Sequence, residues 1–297
     1  MGDERFQIDE RVVHELVASQ FPELAHLAVE RVRPGGWDHV IFRLGEKLAI
    51  KFPSAECYSP QIEREATALE QLKGRLPCAI PERVKTGRPD MGLRHSWAIN
   101  TWLDGTSATL VPPPNHQASA LQCGRFLACL HSRPAESKLP PGAENFHRGG
   151  HLRVYTREVK ASLARLDNAA LAGRASDLWQ AAIASEWRRE PVWVHGDFFP
   201  WNVLVDTGWN LSGVIDWGLA SSGDPACDLA IAWTCFDGES RRVFRDASGA
   251  DESTWCRGRG WSLWKAITLA TGVNEGPSQD KAQSLNVLHR ICDDGDD

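Results

Sequence analysis

The sequence predicts an α+β protein of two lobes: a small antiparallel sheet with one inserted helix, then a larger and mainly helical part. Strand-like runs separated by glycine turns crowd the first hundred residues, whereas apolar positions at helical spacing dominate after Asp104-Gly105. With 297 residues the chain exceeds one small core and suffices for two lobes. Hydrophobic residues at 42% and charged residues at 24% match an ordinary globular protein.

Asp9 is placed to cap a helix whose apolar positions Val12, Val13, Leu16 and Val17 follow helical spacing. Three strand-like runs follow, Ala28–Arg33, His39–Leu44 and Lys47–Phe52, with turns at Pro34-Gly35-Gly36 and Gly45-Glu46. Ser59 or Pro60 opens a helix through Leu72, with Ile62, Ala66, Leu69 and Leu72 on one face. Extended runs near Glu82–Lys85 and His95–Leu103 complete the sheet. Pro112-Pro113-Pro114 is a stiff spacer, and Asn115 caps a helix to about His131. Further helical patterns cover His151–Asp167, Arg174–Arg189, Pro225–Phe236, Thr254–Thr271 and Ser278–Cys292. The predicted division is 1–103 for the sheet-rich lobe and 104–297 for the helical lobe, joined at about 100–105. Clefts between domains are favoured places for ligands.

The 33 basic and 39 acidic residues leave a net charge of −6, shared by both parts, so neither suggests a nucleic-acid partner. No apolar run is long enough to span a bilayer. Met1-Gly2-Asp3-Glu4-Arg5 begins with charge and lacks an apolar stretch behind it, unlike a secretion signal. None of the eight cysteines forms a C-x-x-C pair, and several sit among apolar neighbours, which reads as buried thiols in a reducing cytoplasm.

The chemistry concentrates in His195-Gly196-Asp197-Phe198-Phe199-Pro200-Trp201-Asn202 and Ile215-Asp216-Trp217-Gly218. Asp197 and Asn202 stand five apart, and Asp216 comes fourteen further on, across Val203-Leu204-Val205 and the return Gly213-Val214-Ile215. This spacing reads as a β-hairpin carrying a carboxylate, a carboxamide and a second carboxylate at one end. Phosphoryl transfer needs such a set: a base for the incoming hydroxyl, and hard oxygen ligands for Mg²⁺. Each residue alone is also a common turn or strand-end residue; the three in register point to a site.

Lys51 lies in the apolar strand Leu48-Ala49-Ile50-Lys51-Phe52-Pro53, where a lysine is unusual without a partner. It would hold the α- and β-phosphates while a helix glutamate orients it, unless it is an edge lysine reaching solvent. Glu65 is the chosen partner and Glu63 the alternative, since the two point about 200° apart on a helix. Gly35 and Gly36 either fold backbone N–H groups over phosphates or make a plain hairpin turn. His195 is favoured as a loop-shaping hydrogen bonder over a general base. Asp224 is an N-cap before Pro225, and Asp228 ties the following helix to the loop.

The His-Gly-Asp-x-x-x-x-Asn motif at 195–202, Ile215-Asp216-Trp217-Gly218 and Gly223-Asp224-Pro225-Ala226-Cys227-Asp228-Leu229-Ala230 resemble the aminoglycoside phosphotransferase family. That family has a protein-kinase-like fold and includes macrolide phosphotransferases and metabolite kinases. The similarity runs from about Val29 to Thr271. It implies Asp197 as the catalytic base, Asn202 and Asp216 as Mg²⁺ ligands, and Lys51 paired with Glu65. It implies a hinge at Asn100-Thr101-Trp102-Leu103, where the Thr101 carbonyl and the Leu103 N–H meet a purine of ATP or GTP. It implies transfer of a γ-phosphate to an alcohol group of a small molecule: an antibiotic (aminoglycoside or macrolide), with resistance as the outcome, or an endogenous alcohol or amino sugar. A nucleotide-binding module without turnover is the remaining alternative. A cytoplasmic monomer or weak dimer is expected. Position 199 is Phe where protein kinases carry Lys, and the short stretch from Asp216 to Asp224 leaves no room for a long activation loop.

Ten of the thirteen tryptophans follow residue 105. Trp233, Trp255, Trp261 and Trp264 could face an apolar ring or a cationic acceptor. The helical spacing of Trp261, Trp264, Ile267 and Ala270 favours core packing instead. Asp224, Asp228 and Glu239 would suit polyamines.

Overall fold

The computed structural model describes residues 5–33, 35–110, 116–135, 139–274 and 281–293. The chain opens with helix α1 (Glu10–Gln20), whose first turn is capped by Asp9 accepting from the Val12 N–H at 2.9 Å. Strands β1 (Val29–Arg31), β2 (His39–Leu44) and β3 (Leu48–Pro53) follow, then helix α2 (Gln61–Leu72), β4 (Arg83–Gly87) and β5 (Trp97–Thr101). They form one antiparallel sheet in the order β1-β2-β3-β5-β4. The inserted helix therefore follows the third strand, as its sequence position predicts, with Pro60 rather than Ser59 as N-cap.

Side-chain alternation assigns the two faces of this sheet. Val40, Phe42, Leu44, Ile50, Phe52, Trp97 and Ile99 point to one side and pack with Val13, Leu16 and Val17 of α1. Their neighbours His39, Lys51, Ala98 and Asn100 necessarily point to the other, where α2 lies. The strand pattern that buries the α1 core thus delivers Lys51 to the cleft side.

The second lobe holds short strands β6 (Thr106–Ser107), β7 (Val192–Val194), β8 (Val203–Val205), β9 (Leu211–Val214) and β10 (Ser221–Gly223). Its helices are α3 (His116–His131), α4 (Thr156–Leu163), α5 (Ala169–Ala184), α6 (Ile231–Cys235), α7 (Gly238–Ser248), α8 (Glu252–Ala270) and α9 (Lys281–Asp293). β8 and β9 form the expected hairpin, with β6 along its edge, while β7 pairs antiparallel with β10. A continuous core runs beneath them, including Phe126 and Phe198 stacked at 5.3 Å.

Several helix expectations need correction. The 151–167 run divides into a 3₁₀ turn at Leu152–Tyr155 and the short α4. The 174–189 run starts earlier, at Ala169, because Asn168 caps it by accepting from the Leu171 N–H at 3.0 Å; it ends at Ala184. Pro225–Ala230 is 3₁₀ before α6 begins. Helix α7 was not expected, because its polar sequence shows few apolar positions. It packs on α3, where Gly124 lets the backbones meet; a Cβ there would lie 2.7 Å from the Phe244 carbonyl oxygen. The spacer Pro112–Pro114, the cap Asn115 and the helix start near Ser278 lie outside the described residues. Among the described residues no helix is long and apolar enough to cross a membrane. None of the eight cysteines is in a disulfide.

Candidate active site

The loop from β7 to β8 is shaped by buried hydrogen bonds. Asp228, fully buried, accepts from the His195 and Gly196 backbone N–H groups at 2.8 Å each, and its carboxylate lies 3.0 Å from His131 Nε2. Gly196 has φ +85°, and a Cβ there would stand 2.4 Å from the Leu219 carbonyl oxygen, so only glycine fits. His195 is wholly buried; its Nδ1 accepts from the Asp197 N–H at 3.2 Å, which leaves Nε2 to donate to the Ile215 carbonyl at 3.0 Å. Both ring nitrogens are thus committed to holding two loops together, the loop-shaping part expected of it.

Asp197 emerges with both oxygens engaged. Oδ2 accepts from Asn202 Nδ2 at 3.0 Å and from Trp201 Nε1 at 3.1 Å; Oδ1 is 3.3 Å from Lys265 Nζ. Burial pushes its carboxyl pKa up, but Lys265, Arg148 and the Trp201 N–H outweigh burial and hold it below the ordinary value. Asn202 spends its amide N–H on Asp197, through the side chain and at 2.9 Å through the backbone carbonyl. Its carboxamide oxygen remains as the hard donor.

Asp216, two residues past the end of β9, adopts a left-handed conformation at φ 65°, rare for a residue with a side chain. Oδ1 accepts from Lys51 Nζ at 2.7 Å. Lys51 also donates to Glu65 Oε1 at 2.7 Å. Burial opposes its charge, yet Asp216 and Glu65 together raise its pKa above the ordinary lysine value. Glu65 is wholly enclosed: Oε1 also accepts from the Trp217 N–H at 3.2 Å, and Oε2 from Asn100 Nδ2 at 3.0 Å and Arg83 at 3.4 Å. Burial favours its neutral form, and the cations, Lys51 first, overcome that and keep its pKa low. Glu63, the alternative partner, points to solvent.

Of the other expected residues, Gly35 and Gly36 are exposed in the β1–β2 turn. The same turn sends Asp38 inward, where Gln61 Nε2 donates to its Oδ2 at 3.0 Å. Burial pushes the Asp38 pKa up to about 6, with Asp216 and Asp197 adding to the rise against Gln61. Thr101 and Leu103 border a cavity of about 310 Å³ with Leu72, Ile80 and Glu82.

The acceptor expectations fare differently. Trp233, Trp261 and Trp264 are buried, the last two stacked under the Arg148 guanidinium at 5.1 and 4.9 Å, so core packing is their role. Asp224 is bound by Arg257 through both oxygens and Asp228 by the β7–β8 loop, so neither is left for a polyamine. The exposed tryptophan beside Asp197 is Trp201, stacked on Phe199 at 4.7 Å. Trp201, Asp38 and Lys265 were not singled out from sequence, and Asn100 was expected only within the hinge, not as a partner of Glu65. For Lys265 a signal existed: it is a lone charge within Trp261-Ser262-Leu263-Trp264-Lys265-Ala266-Ile267, the pattern that marked Lys51.

A Mg²⁺ site fits this donor set. One carboxylate and one amide oxygen are few protein ligands, as expected where phosphates complete the shell, and no three His, Cys, Asp or Glu groups gather as a self-sufficient site among the described residues.

Comparison with known proteins adds family and fold. The model of the phosphotransferase enzyme family (APH) matches residues 29–264. No curated protein sequence matches significantly. Among solved structures, a GDP complex of a variant aminoglycoside 2'-phosphotransferase-IIIa superposes with a TM-score of 0.75 at 18% identity, covering 95% of this chain and 97% of that one. The streptomycin–ATP–APH(2")-IIa ternary complex gives 0.61 at 17%, covering 96% of each chain. The macrolide 2'-phosphotransferase MphH apoenzyme from Brachybacterium faecium gives 0.61 at 16%, covering 97% and 99%. At these identities the likeness establishes the protein-kinase-like fold.

Proposed function

The chain belongs to the phosphotransferase enzyme family, a nucleotide-dependent enzyme acting on hydroxyl groups, and from that premise we propose that it moves the γ-phosphate of ATP or GTP to a hydroxyl of an aminoglycoside or macrolide antibiotic, conferring resistance in the cytoplasm. The observation that supports the reading is convergence: one hydrogen-bonded set holds Asp197 with Asn202, a second holds Asp216 with Lys51 and Glu65 from the sheet lobe, and the Ile215 N–H donates to the Asn202 carbonyl at 3.0 Å between them.

In this reading Asp197 takes the proton of the acceptor hydroxyl as its oxygen attacks phosphorus. Lys51 exchanges Asp216 for the α- and β-phosphates while Glu65 holds its position. Asn202 and Asp216 would hold Mg²⁺, which when bound neutralises charge on the phosphates. Gly35 and Gly36 lie over the phosphates, and Thr101 and Leu103 meet the purine edge at a hinge dividing lobes 1–103 and 104–297. The enzyme works as a monomer or weak dimer on a small-molecule acceptor. Trp201 offers an exposed ring face beside the base, and the nearby Lys265 charge disfavours polycations; both weigh toward a macrolide over an aminoglycoside.

The test is nucleotide consumption with ATP and with GTP, against aminoglycosides, macrolides and metabolite alcohols. Turnover with an antibiotic supports the proposal. Turnover only with an endogenous alcohol or amino sugar replaces the acceptor. Nucleotide binding without consumption by any acceptor turns the protein into a non-catalytic module.

A further inference from the structure

Position 199, two after Asp197, is phenylalanine, yet an ammonium stands beside the base. It comes from another element altogether. Lys265, in the middle of α8, extends over the Phe199 ring at 3.9 Å from its centroid and the Trp201 ring at 4.8 Å, and brings Nζ to 3.3 Å from Asp197 Oδ1. Its side chain remains 25% exposed, so the head reaches the open cleft while the stem is packed. The contact with Asp197 is longer than the two 2.7 Å bonds of Lys51 in the same site. An ammonium has three N–H groups, and the carboxylate uses one.

We propose that Lys265 is a further catalytic residue, a clamp on the transferring phosphoryl group. The inference rests on the phosphotransferase reading. A hydroxyl that gives its proton to Asp197 lies about 3 Å from a carboxylate oxygen, and the phosphorus it attacks is roughly 3–3.5 Å beyond. A cation 3.3 Å from Oδ1 is therefore within reach of the non-bridging oxygens of that phosphorus. In the step, the acceptor oxygen bonds to phosphorus and its proton passes to Asp197. The bond to the bridging oxygen breaks, and the nucleoside diphosphate leaves with the electron pair. Lys265 keeps its proton throughout and donates hydrogen bonds to the equatorial oxygens, where charge spreads in the transition state. Lys51 from the sheet lobe and Lys265 from the helical lobe then flank the triphosphate from two sides. The Phe199 and Trp201 rings hold the second ammonium by their π faces, in place of a lysine on the loop itself.

The experiment compares Mg²⁺-dependent affinity for ADP and for its β,γ-imido triphosphate analogue, and likewise for the guanine pair, in wild type, Lys265→Met and Lys265→Arg. A clamp on the γ-phosphate predicts that Lys265→Met weakens the triphosphate about tenfold, the scale of one charged hydrogen bond, and leaves the diphosphate within about twofold. Lys265→Arg keeps the preference for triphosphate. Lys265→Gln gives the same ratio from a polar side chain should methionine disturb the fold. Equal loss for both nucleotides, or no change in either, overturns the clamp and leaves Lys265 as a structural ion pair. A wild-type protein that binds neither nucleotide removes the phosphotransferase reading itself, and the clamp with it.

Discussion

Asp197 is fixed in place before any acceptor arrives, by Asn202, Trp201 and Lys265 on its two oxygens. Asp197→Ala is expected to lower turnover at least ~10²-fold while nucleotide affinity stays near wild type. Steady-state kinetics beside calorimetry checks this, and unchanged turnover removes the residue from its role. Asp38 allows a different test. Its native carboxyl keeps its proton up to about pH 6, while an unfolded chain releases it near 3.8. Between those values the native state binds the extra proton, so this group's contribution to stability falls as pH rises through the window. Asp38→Asn should therefore be more stable than wild type above pH 6 by about 1–3 kcal/mol, with the gap vanishing toward pH 4. A gap that does not vary with pH in a series of melting curves contradicts the buried, proton-holding carboxyl. At this scale the sequence exposed residues whose chemistry is unusual for their surroundings, such as Lys51 in an apolar strand. Asp38 was hidden because an aspartate two residues past Gly35-Gly36 reads as part of an ordinary turn.

The loop between β7 and β8 is held by a side chain thirty-odd residues away. Asp228, fully buried, receives two buried backbone N–H groups and stands against the half-buried His131. Asp228→Ala leaves those donors unsatisfied and is expected to cost about 3 kcal/mol or more. Thermal unfolding measures it; a shift under a degree would mean the loop is shaped by something else. Helix starts were legible where a cap was unambiguous, as at Asp9 and Asp224. Helix α7 was not, although Asp237 and Gly249 flank it as N-cap and left-handed C-cap. Its burial rests mainly on Phe244, too few apolar positions for periodicity to register, and its docking depends on a glycine in a different helix.

Contacts across the cleft tie the two lobes together at the site. Lys51 meets Asp216, Glu65 accepts from the Trp217 N–H, and Arg64 donates to the Ala220 carbonyl at 3.0 Å. In the proposed reading nucleotide binding draws on the same groups, so it should report on the whole molecule. At nucleotide–Mg²⁺ concentrations about a hundredfold above Kd, wild type should gain about 2.7 kcal/mol of stability, visible as a raised melting temperature. Asp216→Ala is expected to lose the Mg²⁺-dependent part of that shift. A shift equal to wild type contradicts the metal assignment.

The sequence alone determined the order of the main elements apart from α7, the sheet-then-helix division and the spacing of Asp197, Asn202 and Asp216, because periodicity and turn residues are local properties that neighbouring positions encode. It also marked Lys51 and Glu65, since an alternating strand and a helical face each declare which way a side chain points. The tertiary structure alone decided that Lys265 reaches Asp197, that Asp38 turns inward and that Trp201 rather than the later tryptophans faces the cleft. Those arrangements join residues far apart in the chain, 68 positions for the contact of Lys265 with Asp197. Their geometry depends on how separate elements pack, which no local pattern carries.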